Sequence, residues 1–515
     1  MLVKTLSVAN YGLKAIPVDI EVNVALKGFP GISIVGLQSK NSEESKERVK
    51  TAIINSDFEF PTAKITINLA PADLPKNGSC YDLPIAIGIL SADNQCPLPQ
   101  EKSYFYGELS LDGSLRHTTG VFVLALAARE NGIKNIFVPR LCANEASVVE
   151  GINVYPVDNI KALVEHLNQQ KPIQPLKPVH TDEILEDIHA EFDFSEILGQ
   201  NQAKRALEIV AAGGHNIFMI GSPGAGKTML SRALAGILPN LTEKESLEVT
   251  KIYSITGNIP PGASLVRNRP FRSPHHTTSQ VGLIGGGTNP HPGEISLSHR
   301  GILFLDEFPE FSRACLEALR QPLEDGHVTI SRASGSVDYP AQFILVAAAN
   351  PCPCGYLGDP KKECKCTPTQ IINYQKKLSG PIMDRIDLHL NVPAVDINHL
   401  MIKPDGKNAP PSGEKSEDIK KRIIQARAIQ TKRFAKLKNI HTNSDMKNSH
   451  LKEFANLDNS ANLILKQAVN RYALSARTYF RLIKVARTIA DLDQSNNILD
   501  KHIAEALQYR IKDNQ

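Results

Sequence analysis

The stretch Asn216-Ile-Phe-Met-Ile220 runs directly into Gly221-Ser-Pro-Gly-Ala-Gly-Lys227-Thr228 and then into Met229-Leu-Ser-Arg-Ala-Leu-Ala-Gly236. An apolar run of strand length, a glycine-rich turn and a helix-forming segment in that order predict a strand, a loop and a helix. In the loop Gly221, Ser222, Pro223, Gly224, Ala225 and Gly226 the glycines let backbone N–H groups converge on nucleotide phosphates. Lys227 sets a point charge among them, and the Thr228 hydroxyl is available to magnesium. Taken singly, a glycine-rich turn is more often an ordinary turn. The pattern sharpens with Gly301-Ile-Leu-Phe-Leu-Asp306-Glu307, an apolar strand that ends in two acids. There Asp306 is expected to hold the magnesium and Glu307 to polarise an attacking water. Together these residues suit hydrolysis of a nucleoside triphosphate with magnesium as the metal.

A further apolar strand, Phe343-Ile-Leu-Val-Ala-Ala-Ala349, ends at Asn350, whose amide is placed to orient the lytic water. Gly380-Pro-Ile-Met-Asp384-Arg385-Ile-Asp387 puts Arg385 at a charged turn between apolar segments, where it is expected to reach the γ-phosphate held by a neighbouring subunit. Other quotable segments are Phe271-Arg-Ser-Pro-His-His-Thr-Thr-Ser279, Gly282-Leu-Ile-Gly-Gly-Gly287, Pro292-Gly-Glu-Ile-Ser-Leu-Ser298 and Leu474-Ser-Ala-Arg477-Thr-Tyr-Phe-Arg481 with its continuation to Asp491. In this order the motifs resemble the AAA+ ATPases of the magnesium-chelatase and MCM-helicase branch, and within it the ComM/YifB family, over nearly the whole chain. The resemblance implies an α/β fold: an AAA+ P-loop NTPase core, an N-terminal Lon-protease-like α/β domain and a C-terminal helical lid. It implies a homo-hexameric ring with ATP between subunits, Arg385 supplied by the neighbour, and Arg477 completing the site in cis or across the interface. The activity it implies is that of an ATP-dependent DNA helicase and branch-migration motor on recombination intermediates, in natural transformation. A magnesium-chelatase motor subunit and a protein-remodelling module share most of these motifs and stay open.

At 515 residues, the chain is long enough for about three domains. A net charge of +4 is too small to require or exclude nucleic acid. No segment approaches the roughly 18 uninterrupted apolar residues of a membrane helix, and the first residues lack a secretory core, so a cytoplasmic protein is expected. Residues 1–168 alternate strand and helix patterns, including Ile20 to Leu26, Lys64 to Leu69, Val121 to Ala128 and Ile136 to Val138. Residues 169–192 turn to Gln, Lys, Pro and acidic residues, as a linker does. The ATPase core is expected over 193–398 and a helical lid over 399–515, with an exposed loop from Lys403 to Glu414 and apolar periodicities near Leu463, Leu482 and Ile503.

In the Lon-like resemblance the nucleophile falls at Cys80 and its lysine base at Phe122, which cannot take a proton. The N-terminal domain is therefore expected to lack peptidase activity. Of the eight cysteines, Cys352, Cys354, Cys364 and Cys366 lie within the loop 352–366. Four thiols in a short loop suit a structural zinc ion, although Cys-x-Cys spacing is atypical and predicts strain in a single tetrahedron; a metal-free reduced loop is the alternative. His275 and His276 are adjacent, which on an extended chain points them to opposite sides, and they are expected to be structural or contacts of a loop.

Two insertions lie in segments that, by the resemblance, face the central pore of the ring. One spans Gln280 to His299. The other is a hairpin, Val328-Thr-Ile-Ser-Arg332-Ala-Ser-Gly-Ser-Val337, with Arg332 matching the basic hairpin residue of MCM helicases. A guanidinium there suits backbone phosphates of DNA irrespective of sequence; read alone, it is a solvated turn charge. Neither insertion carries an aromatic tip of the kind that grips polypeptide.

Overall fold

The computed structural model describes the whole chain except residues 26–28, 37–38, 75, 77, 180–190, 261, 288–289, 333–334, 360, 379, 394–412, 438–439 and 511–515. The expected loop from Lys403 falls almost entirely outside the described residues, as does the centre of the linker. Two compact units emerge. Unit 1 comprises Met1–Glu186, Thr242–Arg267 and Thr329–Tyr339; unit 2 comprises Asp187–Leu241, Asn268–Val328 and Pro340–Gln515. The division is not linear along the chain. The helix Glu243–Thr256 and most of the hairpin around Arg332 fold with the N-terminal residues.

Unit 1 is built on a mixed sheet of β1 (Leu2–Tyr11), β2 (Lys14–Ala25), β3 (Gly31–Val35), β4 (Lys64–Ala70), β5 (Ser103–Phe105), β6 (Asn135–Pro139) and β7 (Asn153–Val157), in the order β3-β4-β2-β1-β5-β6-β7. In β4 buried residues alternate with partly exposed ones, as period-two patterning requires of a strand with one covered face. Helices α1 (Ser39–Asn55), α2 (Asp82–Ala92) and α3 (Val121–Glu130) accompany the sheet; every residue of α2 is buried, which fits its nearly continuous apolar sequence. The helix Glu243–Thr256 packs on α3. Its Ser254 carbonyl accepts the Gly120 N–H at 2.9 Å, and its Ser254 hydroxyl accepts the Phe122 N–H at 3.2 Å. These contacts supply partners for N–H groups at the start of α3, which no residue of its own helix can serve.

Phe122 is fully buried, and burial pushes the Cys80 thiol up to about 12. The buried Lys76 ammonium donates to the Leu74 carbonyl at 3.3 Å and to that of Pro71, while the Ser79 hydroxyl is bonded to Glu108.

Unit 2 has a five-stranded sheet, all parallel, of β8 (Ile217–Ile220), β9 (Phe271–Arg272), β10 (Ile302–Leu305), β11 (Ile344–Ala349) and β12 (Leu388–Asn391), in the order β9-β10-β11-β8-β12. Strands β10 and β11 are buried at every residue, the pattern of parallel strands covered on both faces. Around it lie α4 (Asn201–Gly213), α5 (Lys227–Ile237), α6 (Ser416–Phe434), α7 (Asn459–Tyr472), α8 (Ala476–Leu492) and α9 (Asp500–Gln508). The α6 face Ile419, Ile423, Ala426, Gln430 and Phe434 recurs at helical spacing and is buried. The expected C-terminal helices are thus present, and the chain has the expected α/β class with a P-loop core.

Candidate active site

Three parallel strands deliver three motifs to one edge of the unit 2 sheet. Strand β8 ends at Ile220 beside Ala349 of β11, so Gly221 and Asn350 emerge together, and Leu305 of β10 pairs with Ala347, which brings Asp306 to the same edge. The carboxyl edge of a parallel sheet is where such folds bind ligands. Gly224 and Gly226, with φ of +79° and +88°, turn the loop in left-handed conformations that suit glycine, and α5 starts at Lys227 itself. Lys227 and Thr228 are therefore helical, two residues earlier than the sequence pattern predicts for the helix start.

The side chains converge. Lys227 Nζ donates to the carbonyls of Gly221 at 2.6 Å and Ser222 at 3.1 Å, and to Asn350 Oδ1 at 3.2 Å. Burial lowers the ammonium's pKa and Asp306 opposes that shift. Thr228 Oγ1 donates to Asp306 Oδ2 at 3.2 Å. Two oxygens on adjacent corners of a magnesium octahedron lie about 3 Å apart, so this pair suits that ion. Glu307 occupies a left-handed conformation, φ +49°, uncommon for a residue with a Cβ, and its Oε2 lies 3.1 Å from His276 Nδ1. The sequence pattern did not foretell this contact. The chain turns at His276 instead of running extended, and the His275 and His276 rings sit 4.1 Å apart.

Arg385 lies at the opposite edge. Leu388 of β12 pairs with Ile217, the first residue of β8, and the Asn216 amide N–H donates to Asp387 at 3.1 Å. Four residues of β8 separate the two edges, about 13 Å at strand rise. Asp387 is held well below the usual carboxylate range: burial opposes this, but Arg481 and His215 outweigh it. Arg385 and Arg477 meet at Glu324, whose Oε1 lies 2.7 Å from Arg385 Nη2 and 3.4 Å from Arg477 Nη2. Ser475 caps α8 by accepting the Thr478 N–H at 3.2 Å, which fixes the first turn that carries Arg477.

The four loop cysteines come together. Sγ of Cys352 is 3.4 Å from that of Cys354 and 3.6 Å from that of Cys364, Cys354 and Cys364 are 3.6 Å apart, and all four sulfurs lie within 4.8 Å of one another. A tetrahedron with metal–sulfur bonds near 2.3 Å has edges of about 3.8 Å. The Cys352–Cys354 chord is close to such an edge. The loop rests on the phosphate loop: a Cβ on Gly355 would lie 2.6 Å from Pro223, and Asp359 is hydrogen-bonded by Ser222.

Arg332 is exposed at the end of the strand His327–Arg332, which pairs with Gly335–Pro340; residues 333–334 of the tip are outside the described set.

Models of the magnesium chelatase subunit ChlI match residues 193–400, of subunit ChlI of Mg-chelatase residues 20–141, and of its C-terminal part residues 413–510. A protein of Escherichia coli called uncharacterized protein YifB is 43% identical over 510 residues, 98% of this chain and 96% of its own length. The competence protein ComM of Haemophilus influenzae is 42% identical over the same shares. The chain belongs to the ComM/YifB family. Outside the ComM/YifB proteins, the magnesium-chelatase 38 kDa subunit of Rhodobacter capsulatus is 28% identical over 31% of this chain and half of its own. Among the described residues no helix is long and apolar enough to cross a membrane.

Proposed function

We propose that this ComM/YifB-family chain is an ATP-hydrolysing, ring-forming DNA motor, a helicase that migrates branches in recombination intermediates and supports integration of incoming DNA during natural transformation. The observation that carries the ATPase assignment is the convergence of Lys227, Thr228, Asp306 and Asn350 on one sheet edge. Thr228 and Asp306 would hold the magnesium of a bound nucleotide, which would screen the phosphate charge. Glu307 takes the proton of the water that attacks the γ-phosphorus as the bond to the β–γ bridging oxygen breaks, and ADP leaves. Asn350 orients that water.

Ring formation, taken as hexameric from the family resemblance, is supported by Arg385. It belongs to the far edge of the sheet, so it serves a γ-phosphate bound to the adjoining subunit. Arg477 shares Glu324 with it and acts from the same side. Cys352, Cys354, Cys364 and Cys366 would hold one structural zinc ion, which would staple the loop. Arg332 contacts the DNA backbone. The DNA assignment draws support from the relative named for competence and from the exposed guanidinium. The likeness to magnesium-chelatase subunits, which the matching family models carry over most of the chain although the Rhodobacter capsulatus subunit aligns with only 31% of it, keeps a chelatase-type motor as the second reading.

Hydrolysis by the purified chain, alone and with single-stranded, forked and three-stranded DNA, tests this alongside strand displacement. DNA-stimulated hydrolysis coupled to displacement, abolished in Glu307→Gln, is expected. Hydrolysis indifferent to DNA would favour the chelatase or protein-remodelling readings.

A further inference from the structure

Glu324 sits in the short helix Arg320–Asp325 and belongs to none of the motifs that identify the nucleotide site. A single oxygen of its carboxylate nevertheless contacts two guanidiniums that come from distant parts of the chain. Arg385 is held from several directions: Nη1 donates to the Pro381 carbonyl at 2.6 Å, Nη2 meets Glu324, and its own backbone carbonyl accepts from Arg481 at 2.6 Å. Its side chain is 10% exposed, whereas that of Arg477 is 49% exposed. Arg385 Nε is buried and has no hydrogen-bond partner among the described residues. Arg477, Arg481 and Lys484 line an open pocket beside this cluster, which adds positive charge to it.

Two guanidiniums brought this close repel each other, and the rotamer freedom of an exposed arginine favours their separation. A carboxylate between them cancels one charge and holds both guanidiniums, while the pair stays net positive. Arginines fixed before the phosphate arrives stabilise the transition state without reorganising at the moment of reaction. We propose that Glu324 is a positioning residue that holds Arg385 and Arg477 as one unit for the γ-phosphate of the adjoining subunit. This rests on the assignment of Arg385 as the arginine supplied across the interface.

The test uses the full-length chain and its Glu324→Ala, Arg385→Ala and Arg477→Ala variants. It reads steady-state turnover, affinity for a fluorescent ATP analogue, and assembly by native mass measurement. Glu324→Ala is expected to lower kcat roughly ten- to hundredfold, the scale of a misplaced catalytic group, with nucleotide affinity within about twofold of the parent. Arg477→Ala should then add little in the Glu324→Ala background, because the two losses share one cause. Mixed assemblies provide the second arm. Glu307→Gln subunits keep their arginines, so mixing them with Glu324→Ala subunits should give more hydrolysis than either variant alone. Unchanged kcat in Glu324→Ala, full additivity with Arg477→Ala, or no gain on mixing would overturn the inference. Normal hydrolysis by Arg385→Ala would instead remove the interface assignment beneath it.

Discussion

At the scale of single residues, the contact between His276 and Glu307 matters most for the chemistry. Glu307 follows Asp306 directly, and its amide N–H is bonded back to Asp306 Oδ1 at 2.9 Å, so the pair is locked in a tight, left-handed turn. The carboxylate is then aimed by whatever it touches, and here that is the His276 imidazole. We expect His276→Ala to lower turnover roughly tenfold with nucleotide affinity preserved, measured as kcat against the Kd of an ATP analogue. Unchanged turnover would reduce the histidine to a surface contact. Lys227, Thr228 and Asp306 were legible in the chain because each is set by its own strand and the turn after it. His276 and Glu324 were not, because each meets its partner only once separate strands and helices have packed, and no local spacing encodes that meeting.

Among the elements, the cysteine loop lies against the proposed nucleotide-binding loop. Gly355, φ +85°, approaches Pro223 where a side chain would collide, Asp359 engages Ser222, and Tyr374, in the helix Pro368–Lys376 that follows the loop, meets the backbone of Asn350. Pro223, Ser222 and Asn350 belong to the proposed nucleotide site. Metal analysis should give about one zinc per chain. Stripping it with a chelator should weaken nucleotide binding roughly fivefold or more, with nucleotide slowing zinc release in return, since coupling between sites is reciprocal. Full zinc occupancy with equal affinity before and after stripping would show the loop to be energetically silent. The cysteine cluster was visible as a count and a spacing. Its seat on Pro223 was not, because it depends on where β11 delivers the chain.

For the molecule as a whole, the apolar runs at β8, β10 and β11 were legible as strands, and the structure pairs them as neighbouring parallel strands of one sheet. The boundary between units was less legible. Composition marks the linker, but the helix Glu243–Thr256 carries ordinary amphipathic residues whose partner, α3, is remote in sequence. One buried acid fastens that contact: Glu145 accepts from the Ser254 hydroxyl at 2.7 Å. Burial pushes its carboxyl from 4.5 up to about 7, against the opposing pull of that hydrogen bond. A carboxyl whose folded pKa is raised contributes stability that is fully present below 4.5 and is lost as pH rises through 7. The loss is on the order of 3 kcal/mol. Glu145→Gln should therefore be more stable than the parent at pH 8 and indistinguishable from it at pH 4, by the urea midpoint of unit 1. A constant difference at both pH values would mean the charge is not the cause.

The two excursions of the chain into unit 1 also bear on genetics. The hairpin strand Gly335–Pro340 lies against the first strand turn, where Val337 leaves no room for a side chain at Gly12. A gene truncated at the linker would encode one fragment missing part of its own packing and another trailing two orphaned segments. Deletion alleles of this protein would then report misfolding, and only point substitutions would separate the duties of its halves.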